Sequence, residues 1–229
     1  MVSRGGLMSI RLLLVDDRDE VRKEMRETIE LVASGSSVEL EIEDEFPFFS
    51  VEDYAPFIQE HDIHALLLDE RLSEQMNRST QQHVGYLGHD VLEKLRSALP
   101  DFPVYVVTTY PNDEDLVSNA SEVEDIIDRI EFSKSVEKYV SRIQRAASRF
   151  LESRKDALDK LERLSLLAAS GALDVKQEEE LNSVRAFLSL PYEEGSSRTL
   201  SGVVEEARAL AEKAEQLLEA LQNSKVERK

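Results

Sequence analysis

The amino-acid sequence predicts an α/β protein, a five-stranded parallel sheet wound on both faces by helices and followed by an α-helical C-terminal region. Three observations predict it. Short unbroken apolar runs, Leu12–Val15 and Ala65–Leu68, are too short for helices and read as strands buried on both faces, the pattern of a parallel-sheet centre. Stretches with helical apolar spacing separate such runs, and short right-handed crossovers turn an alternating βα order into one parallel sheet. Beyond residue 150 strand patterns stop and only helical stripes remain.

Taken in order, Ile10 to Val15 is the first strand, and it ends in Asp16 and Asp17. Glu20, Val21, Met25, Ile29 and Val32 recur at helical spacing to about Ala33, where Gly35 and neighbouring serines stop the helix. Val38 to Ile42 alternates as a second strand, followed by an acidic, aromatic turn from Glu43 to Phe49. The acidic run Glu39 to Glu45 reads as a solvated strand edge. Ser50 can cap a helix striped by Val51, Tyr54, Phe57 and Ile58, and the third strand then ends in Asp69.

Leu72 to Tyr86 is polar and aperiodic, a loop of a length that is uncommon inside a domain and often functional. Val91, Leu92, Leu95 and Leu99 mark a helix from Gly88 that Pro100 stops. Phe102 to Val107 is a fourth strand ending in Thr108 and Thr109, and Pro111 and Asn112 open a short helix. Asp125 to Ile130 reads as the fifth strand, with a long helix beginning near Ser133.

That helix keeps its stripe through Val136, Val140, Ile143, Ala147 and Phe150, then through Leu158, Leu161, Leu164 and Leu167 to a stop at Ser170-Gly171. Asp174 and Gln177 form a capping-box signature for a further helix carrying Leu181, Val184, Phe187 and Leu188. Past a turn at Pro191 to Ser197, a final helix sets Val203, Ala207, Leu210, Ala214, Leu217 and Leu221 on one face. The expected division is a domain over 8–150 and a helical dimerisation or partner-binding region over 151–229, with coiled-coil pairing in a homodimer as one option; a bundle that merely completes the core is the other reading.

Composition narrows the function classes. The 229 residues carry a net charge of −19, concentrated in residues 1–149, which hold 16 Lys+Arg against 31 Asp+Glu. Nucleic-acid binding draws on a basic face that releases counterions from phosphates, and no segment supplies one, so no nucleic-acid partner is expected. There are no cysteines, which removes disulfides, thiolate zinc sites and thiol catalysis. No apolar run approaches the roughly 18 residues of a membrane span, and the expectation is a cytoplasmic protein without membrane attachment.

The chemistry follows from the strand ends. In open parallel sheets ligands sit at the carboxyl edge of the strands. Asp16, Asp17, Asp69, Thr108 and a cation near Arg129 are expected on that edge. Crowded carboxylates repel unless a hard cation bridges them, and oxygen ligands with room for water suit Mg²⁺. With the metal in place one carboxylate can attack a phosphoryl group to give an aspartyl phosphate, while metal, hydroxyl and cation neutralise the phosphoryl oxygens. A metal-dependent phosphatase would want a second acid two residues after the nucleophile, and that position is Arg71. His61 and His64 have a metal-like spacing but straddle a loop and a strand; His83 and His89 flank the long loop, and solvation is the simpler reading of both.

Leu13-Leu14-Val15-Asp16-Asp17, Leu66-Leu67-Leu68-Asp69 with Leu72 three residues on, the helix Gly88 to Leu95 and Pro103-Val104-Tyr105-Val106-Val107-Thr108 together resemble the receiver domain of two-component response regulators, over about Met8 to Phe150. The resemblance implies a flavodoxin-like sheet with Asp69 as phosphoacceptor and Asp17 as a direct Mg²⁺ ligand. It implies Asp16 as a ligand directly or through water, the Arg71 carbonyl on the metal, and Thr108 as the sensor of a phosphoryl oxygen. A histidine kinase or phosphotransfer protein would be the donor.

The departures from the family pattern are specific. Its lysine after strand five is replaced by Arg129, or by Lys134 if the strand runs longer; its switching aromatic is Ile126; the proline of its phosphoacceptor loop is Ser73. Arg71 and Tyr110 are bulky at the positions that tune loss of the phosphoryl group, which implies slow self-hydrolysis. The expected function is a phosphorylation-controlled signalling protein with a helical output. A degenerate receiver acting as a scaffold is the alternative, and an enzyme acting on a diffusible substrate finds no further nucleophile or cofactor motif.

Overall fold

The computed structural model describes residues 9–35, 38–74, 76 and 83–189. Strands β1 (Ser9–Val15), β2 (Glu39–Glu45), β3 (Ala65–Leu68), β4 (Val104–Thr108) and β5 (Asp125–Asp128) form one sheet in the order β2-β1-β3-β4-β5, with every pair parallel. This is the flavodoxin-like doubly wound order, with the reversal of strand order between β1 and β3. Helices α1 (Asp19–Ala33), α2 (Tyr54–Glu60, after a one-turn 3₁₀ segment Val51–Asp53), α3 (Gly88–Ala98), α4 (Glu114–Ser118) and α5 (Arg129–Lys134) follow the strands in turn. Then come α6 (Val136–Ala169) and α7 (Val175–Ser189).

Strand alternation splits the core into two layers. Leu13, Val15, Leu66, Leu68, Val104 and Val106 pack with residues of α2, α3 and α4, while Leu12, Leu14, Ala65, Leu67, Tyr105 and Val107 pack with residues of α1, α5 and α6. Successive residues of one strand therefore serve opposite faces, and that is why Leu12–Val15 of β1 and all of β3 are apolar, with acids only after the strands end.

Three boundaries differ from the sequence expectation. Strand β2 runs to Glu45 instead of ending at Ile42, because β1 pairs with it as far as Val15–Glu45; backbone pairing with a neighbour overrides the turn-like composition of the segment. As the terminal strand in the sheet order, β2 carries its acids on an edge. Strand β5 stops at Asp128, two residues early. The Asp128 carboxylate accepts the backbone N–H groups of Ile130 (2.8 Å) and Glu131 (3.1 Å), a side-chain N-cap that ends the strand and starts α5 at Arg129. The long helix begins only after a break at Ser135.

Other local signals hold. Ser50 and Asp53 make a reciprocal capping box, and Asp174 and Gln177 make another: the Gln177 N–H donates to Asp174 Oδ1 (2.8 Å) and the Asp174 N–H to Gln177 Oε1 (3.0 Å). Helix α6 ends in a Schellman motif, with Ala172 N–H on Leu167 O, Gly171 N–H on Ala168 O, and Gly171 at φ +68°. Helix α2 closes in the same way with Asp62 at φ +53° where glycine is usual, its neighbour Ile63 N–H reaching Ile58 O at 2.8 Å. A left-handed non-glycine residue costs about 1 kcal/mol. Asp62→Gly is accordingly expected to stabilise the protein by about 0.5 kcal/mol at most in urea unfolding, net of the added chain entropy of glycine; a loss of stability would show that the Asp62 side chain matters more than its backbone.

Leu72 and Val84 are buried at the two ends of the long loop, and Tyr86 joins Tyr54 through a 3.1 Å hydroxyl contact; residues 75 and 77–82 lie outside the described part. Helix α6 runs unbroken through Phe150-Leu151, across the expected boundary at residue 150. The final helix expected over Val203 to Leu221 lies outside the described residues. No helix among the described residues is long and apolar enough to cross a membrane.

Candidate functional site

The carboxyl edge of the sheet collects the residues that the strand ends deliver. Asp16 and Asp17 follow β1 and Asp69 follows β3, its neighbour in the sheet. The Asp69 backbone N–H donates to Val15 O at 2.9 Å, which extends the β1–β3 ladder by one step and fixes the three acids side by side. All three are nearly fully buried, and one carboxylate oxygen from each lies within 4.8 Å of the others. The donor set is all oxygen and anionic, which fits a hard divalent cation such as Mg²⁺.

Arg129 joins this cluster. As the first residue of α5 its Nη2 lies 2.8 Å from Asp16 Oδ2, 3.0 Å from Asp69 Oδ1, and donates to Val107 O at 3.0 Å. Its Nε and Nη1 are buried and make no hydrogen bond among the described residues. Lys134 is on the exterior, paired with Glu131 at 2.9 Å. Because β5 ends early, Arg129 and not Lys134 is the basic residue placed beside the acids. Ile126 is half-buried and packs against the α2–α3 side of the core.

Thr108, the last residue of β4, is fully buried, and its Oγ1 accepts the Tyr110 N–H at 3.1 Å. The Arg71 guanidinium turns away from the acids: it stacks 4.3 Å from the centre of the Tyr110 ring and pairs with Asp113 at 3.5 Å. Arg71 and Tyr110 thereby form one stacked unit between the β3 and β4 loops.

Neither histidine of the His61–His64 spacing is set up for a metal. His61 Nδ1 meets Glu43 at 2.8 Å, whereas His64 Nδ1 accepts the Arg11 N–H at 2.9 Å while its own N–H donates to Arg11 O, so His64 serves as an edge partner of β1. His83 is exposed.

Four features of the site went unrecognised in the sequence. Arg18, between β1 and α1, places its guanidinium among all three acids: Nη2 is 3.0 Å from Asp69 Oδ2, and Nε is 3.2 Å from Asp16 Oδ1 and 3.7 Å from Asp17 Oδ1. Arg22, buried in α1, donates to the Asp16 carbonyl and holds the loop from behind. Glu70 is buried beside Asp69 and is held by His89, whose ring Nδ1 is 2.6 Å away and whose backbone N–H donates at 3.1 Å. Burial pushes the Glu70 carboxyl up, against the opposing pull of His89; His89, despite its burial, is raised by the Glu70 hydrogen bond and charge. Gly88, the first residue of α3, donates its N–H to Glu70 O at 2.8 Å, and a Cβ there would sit 2.6 Å from the Asp69 carbonyl oxygen. Only the glycine carried a hint, as a small residue opening a helix.

Electrostatics single out Asp69. Burial and the nearby Asp16 raise its pKa from 3.8 to about 6, against the lowering pull of Arg129 and Arg18. A carboxyl poised there is ionised at neutral pH and held by two guanidiniums, one on each oxygen. Perturbed carboxylates of this kind gather at functional sites.

No protein-family model and no curated protein sequence matches the chain. Solved structures do. The receiver domain of HemR from Leptospira biflexa is 16% identical, with 61% of this chain and 94% of that one aligned and a TM-score of 0.43. The response regulator TrrA from Thermotoga maritima, determined with Mg²⁺ and BeF, is 18% identical over 58% and 98%, with a TM-score of 0.40. RcsB from Salmonella enterica serovar Typhimurium, determined on promoter DNA, is 16% identical over 80% and 89%, with a TM-score of 0.44. By its own strand order, parallel pairing and two-sided core, the N-terminal part of this chain has the flavodoxin-like fold that receiver domains share, and an α-helical region follows it.

Proposed function

We propose that this chain is a phosphoacceptor signalling protein: a histidine kinase or phosphotransfer protein passes a phosphoryl group to Asp69 in a Mg²⁺-dependent step. Output runs through protein–protein contacts of the helical C-terminal region, in the cytoplasm and without DNA binding. The observation that carries the reading is the trio of buried carboxylates, Asp16, Asp17 and Asp69, gathered within 4.8 Å at the carboxyl edge of a parallel sheet. Asp16, Asp17 and Asp69, with the Arg71 carbonyl, would hold the ion, which would supply charge neutralisation at the phosphoryl oxygens.

The rest of the chemistry belongs to the chain. The Asp69 carboxylate attacks phosphorus as the donor bond breaks. The Arg129 Nε–H and Nη1–H groups, without protein acceptors among the described residues, suit phosphoryl oxygens, and the Thr108 hydroxyl is the further donor. The net charge of −19 and the acids on the β2 edge support the absence of a nucleic-acid partner. Arg71 and Tyr110 are stacked on each other at the positions that the resemblance assigns to tuning loss of the phosphoryl group, so the aspartyl phosphate is expected to hydrolyse slowly, read by loss of label from isolated phosphoprotein; a lifetime of seconds would remove this role for the pair.

Incubation with Mg²⁺ and a small phosphodonor, followed by intact mass, tests the proposal. One phosphoryl group is expected on the wild type, and none on Asp69→Ala or, at the same donor concentration, on Asp17→Asn. Modification that persists in Asp69→Ala would overturn the assignment. The second reading, a scaffold without phosphorylation, is favoured by one observation: Arg18 and Arg129 already neutralise Asp69. An unmodified wild type under conditions that load ordinary receivers would select it.

A further inference from the structure

Arg18 sits where the proposed ion has to go. Its guanidinium reaches Asp16, Asp17 and Asp69 at 3.2, 3.7 and 3.0 Å, the same three residues whose oxygens converge within 4.8 Å. We propose that the Arg18 guanidinium and the divalent cation are alternative occupants of this carboxylate cluster, so that metal entry displaces Arg18 and frees it for an oxygen of the phosphoryl group. This rests on the metal-dependent phosphoacceptor reading and adds to it a cation, supplied by the chain itself, that keeps the resting site closed.

Arg18 and Arg129 are held differently, and the difference identifies which one moves. Arg129 is tied to the Val107 carbonyl as well as to the acids, and it leads a helix capped by Asp128. Among the described residues the Arg18 side chain is held by the three acids alone; it lies in the loop before α1 and is about a quarter exposed. It can swing into solvent without breaking a backbone contact of its guanidinium. Its other anchor, the Arg18 N–H on Asp16 Oδ1 at 2.9 Å, is a backbone bond that leaves the side chain free.

Charge explains the exchange. Three carboxylates against two guanidiniums leave one net negative charge, a resting cluster nearly neutral without any metal. A divalent ion added with both guanidiniums in place would reverse the sign and meet like charge at contact distance, which is unfavourable even in a moderately polar site. Once a doubly charged phosphoryl group stands on Asp69, the ion and both guanidiniums balance it together with Asp16 and Asp17. Arg18 therefore opposes metal in the resting protein and assists it in the phosphorylated one, and phosphorylation strengthens metal retention.

Isothermal titration of the full chain with MgCl₂ tests this, with wild type, Arg18→Gln, Arg18→Lys and Asp17→Asn run in parallel. Arg18→Gln is expected to bind Mg²⁺ about tenfold more tightly than wild type, since one cation no longer competes. It is also expected to show a lower Tm without metal and a larger Mg²⁺-induced rise in Tm. Arg18→Lys keeps a competing charge and is expected to stay within a few-fold of wild type, and Asp17→Asn to lose binding. Wild type that binds Mg²⁺ with Arg18→Gln no tighter, or Arg18→Lys as tight as Arg18→Gln, overturns the exchange while leaving the metal site standing. Absence of Mg²⁺ binding in wild type and Arg18→Gln alike overturns both this inference and the metal-dependent reading beneath it.

Discussion

Gly88→Ala is expected to destabilise the protein by about 3 kcal/mol and to slow acceptance of phosphate by Asp69, although alanine is the better helix former by roughly 1 kcal/mol. The added methyl would meet the Asp69 carbonyl oxygen at 2.6 Å, Glu70 Oε2 at 2.8 Å and the Glu70 Cα at 3.0 Å. Two of these three are backbone atoms of the segment that carries the phosphoacceptor, so relief has to come from moving α3 away from the sheet or from pushing Asp69 off its position beside Asp16. Moving α3 would strain the packing of Val91, Leu92 and Leu95 against β3 and β4. Moving Asp69 would break its N–H bond to Val15 O and separate the three carboxylates. Urea unfolding and the initial phosphorylation rate report the two routes separately. A stability gain, as helix propensity alone would give, would show that the close approach of α3 to Glu70 is not a constraint.

The second large effect is at Asp69 itself, in metal-free buffer. Its carboxyl holds a proton up to about pH 6 in the folded protein, against 3.8 as the ordinary value, because burial and Asp16 disfavour its charge more than Arg129 and Arg18 favour it. The folded state thus binds this proton more tightly than the unfolded chain does, and ionising Asp69 costs folding stability progressively as pH rises from about 4 to about 6. Asp69→Asn removes the charge. The variant is expected to be more stable than wild type by about 1–2 kcal/mol at pH 7.5, less than the full shift implies because Arg18 and Arg129 keep only a neutral acceptor. The gain should fade as pH falls through 6, be small at pH 4 and vanish only below about pH 3, where the wild-type side chain is protonated in both states. Urea midpoints for the two proteins at pH 7.5, 6 and 4 measure it. A gain that stays constant with pH would assign the effect to packing instead of ionisation. Adding Mg²⁺ at pH 7.5 should shrink the difference, since the ion rewards the carboxylate and not the amide.

These two effects sit on adjoining pieces of backbone, and they illustrate a trade between stability and function. The site keeps a glycine at a helix start and an acid in a buried cluster, and each choice is unfavourable to folding when viewed alone. Arg22 and the Glu70–His89 pair make the arrangement stand up: the first fastens the Asp16 carbonyl, the second fastens the residue after Asp69 to α3.

The strands and the acids at their ends were legible in the sequence because burial on both faces leaves unbroken apolar runs at Leu12–Val15, Ala65–Leu68 and Val104–Val107, and a parallel sheet sends every strand's carboxyl end to one edge. Asp16, Asp17, Asp69 and Thr108 could therefore be grouped before any contact was seen. The helix caps at Ser50 and Asp174 and the stop at Gly171 were legible for a similar reason, since hydrogen bonds within a few residues are written in local chemistry. What tertiary structure alone decided involves partners far apart in the chain. Pairing with β1 carried β2 to Glu45, an N-cap by Asp128 gave the site Arg129 and left Lys134 outside, and a side chain fifty-one residues before Asp69, Arg18, closed over the acids. Periodicity records which face of an element is buried, but it does not record which long side chain reaches across the edge of a sheet, because that depends on the loops and helices that the whole fold sets beside it.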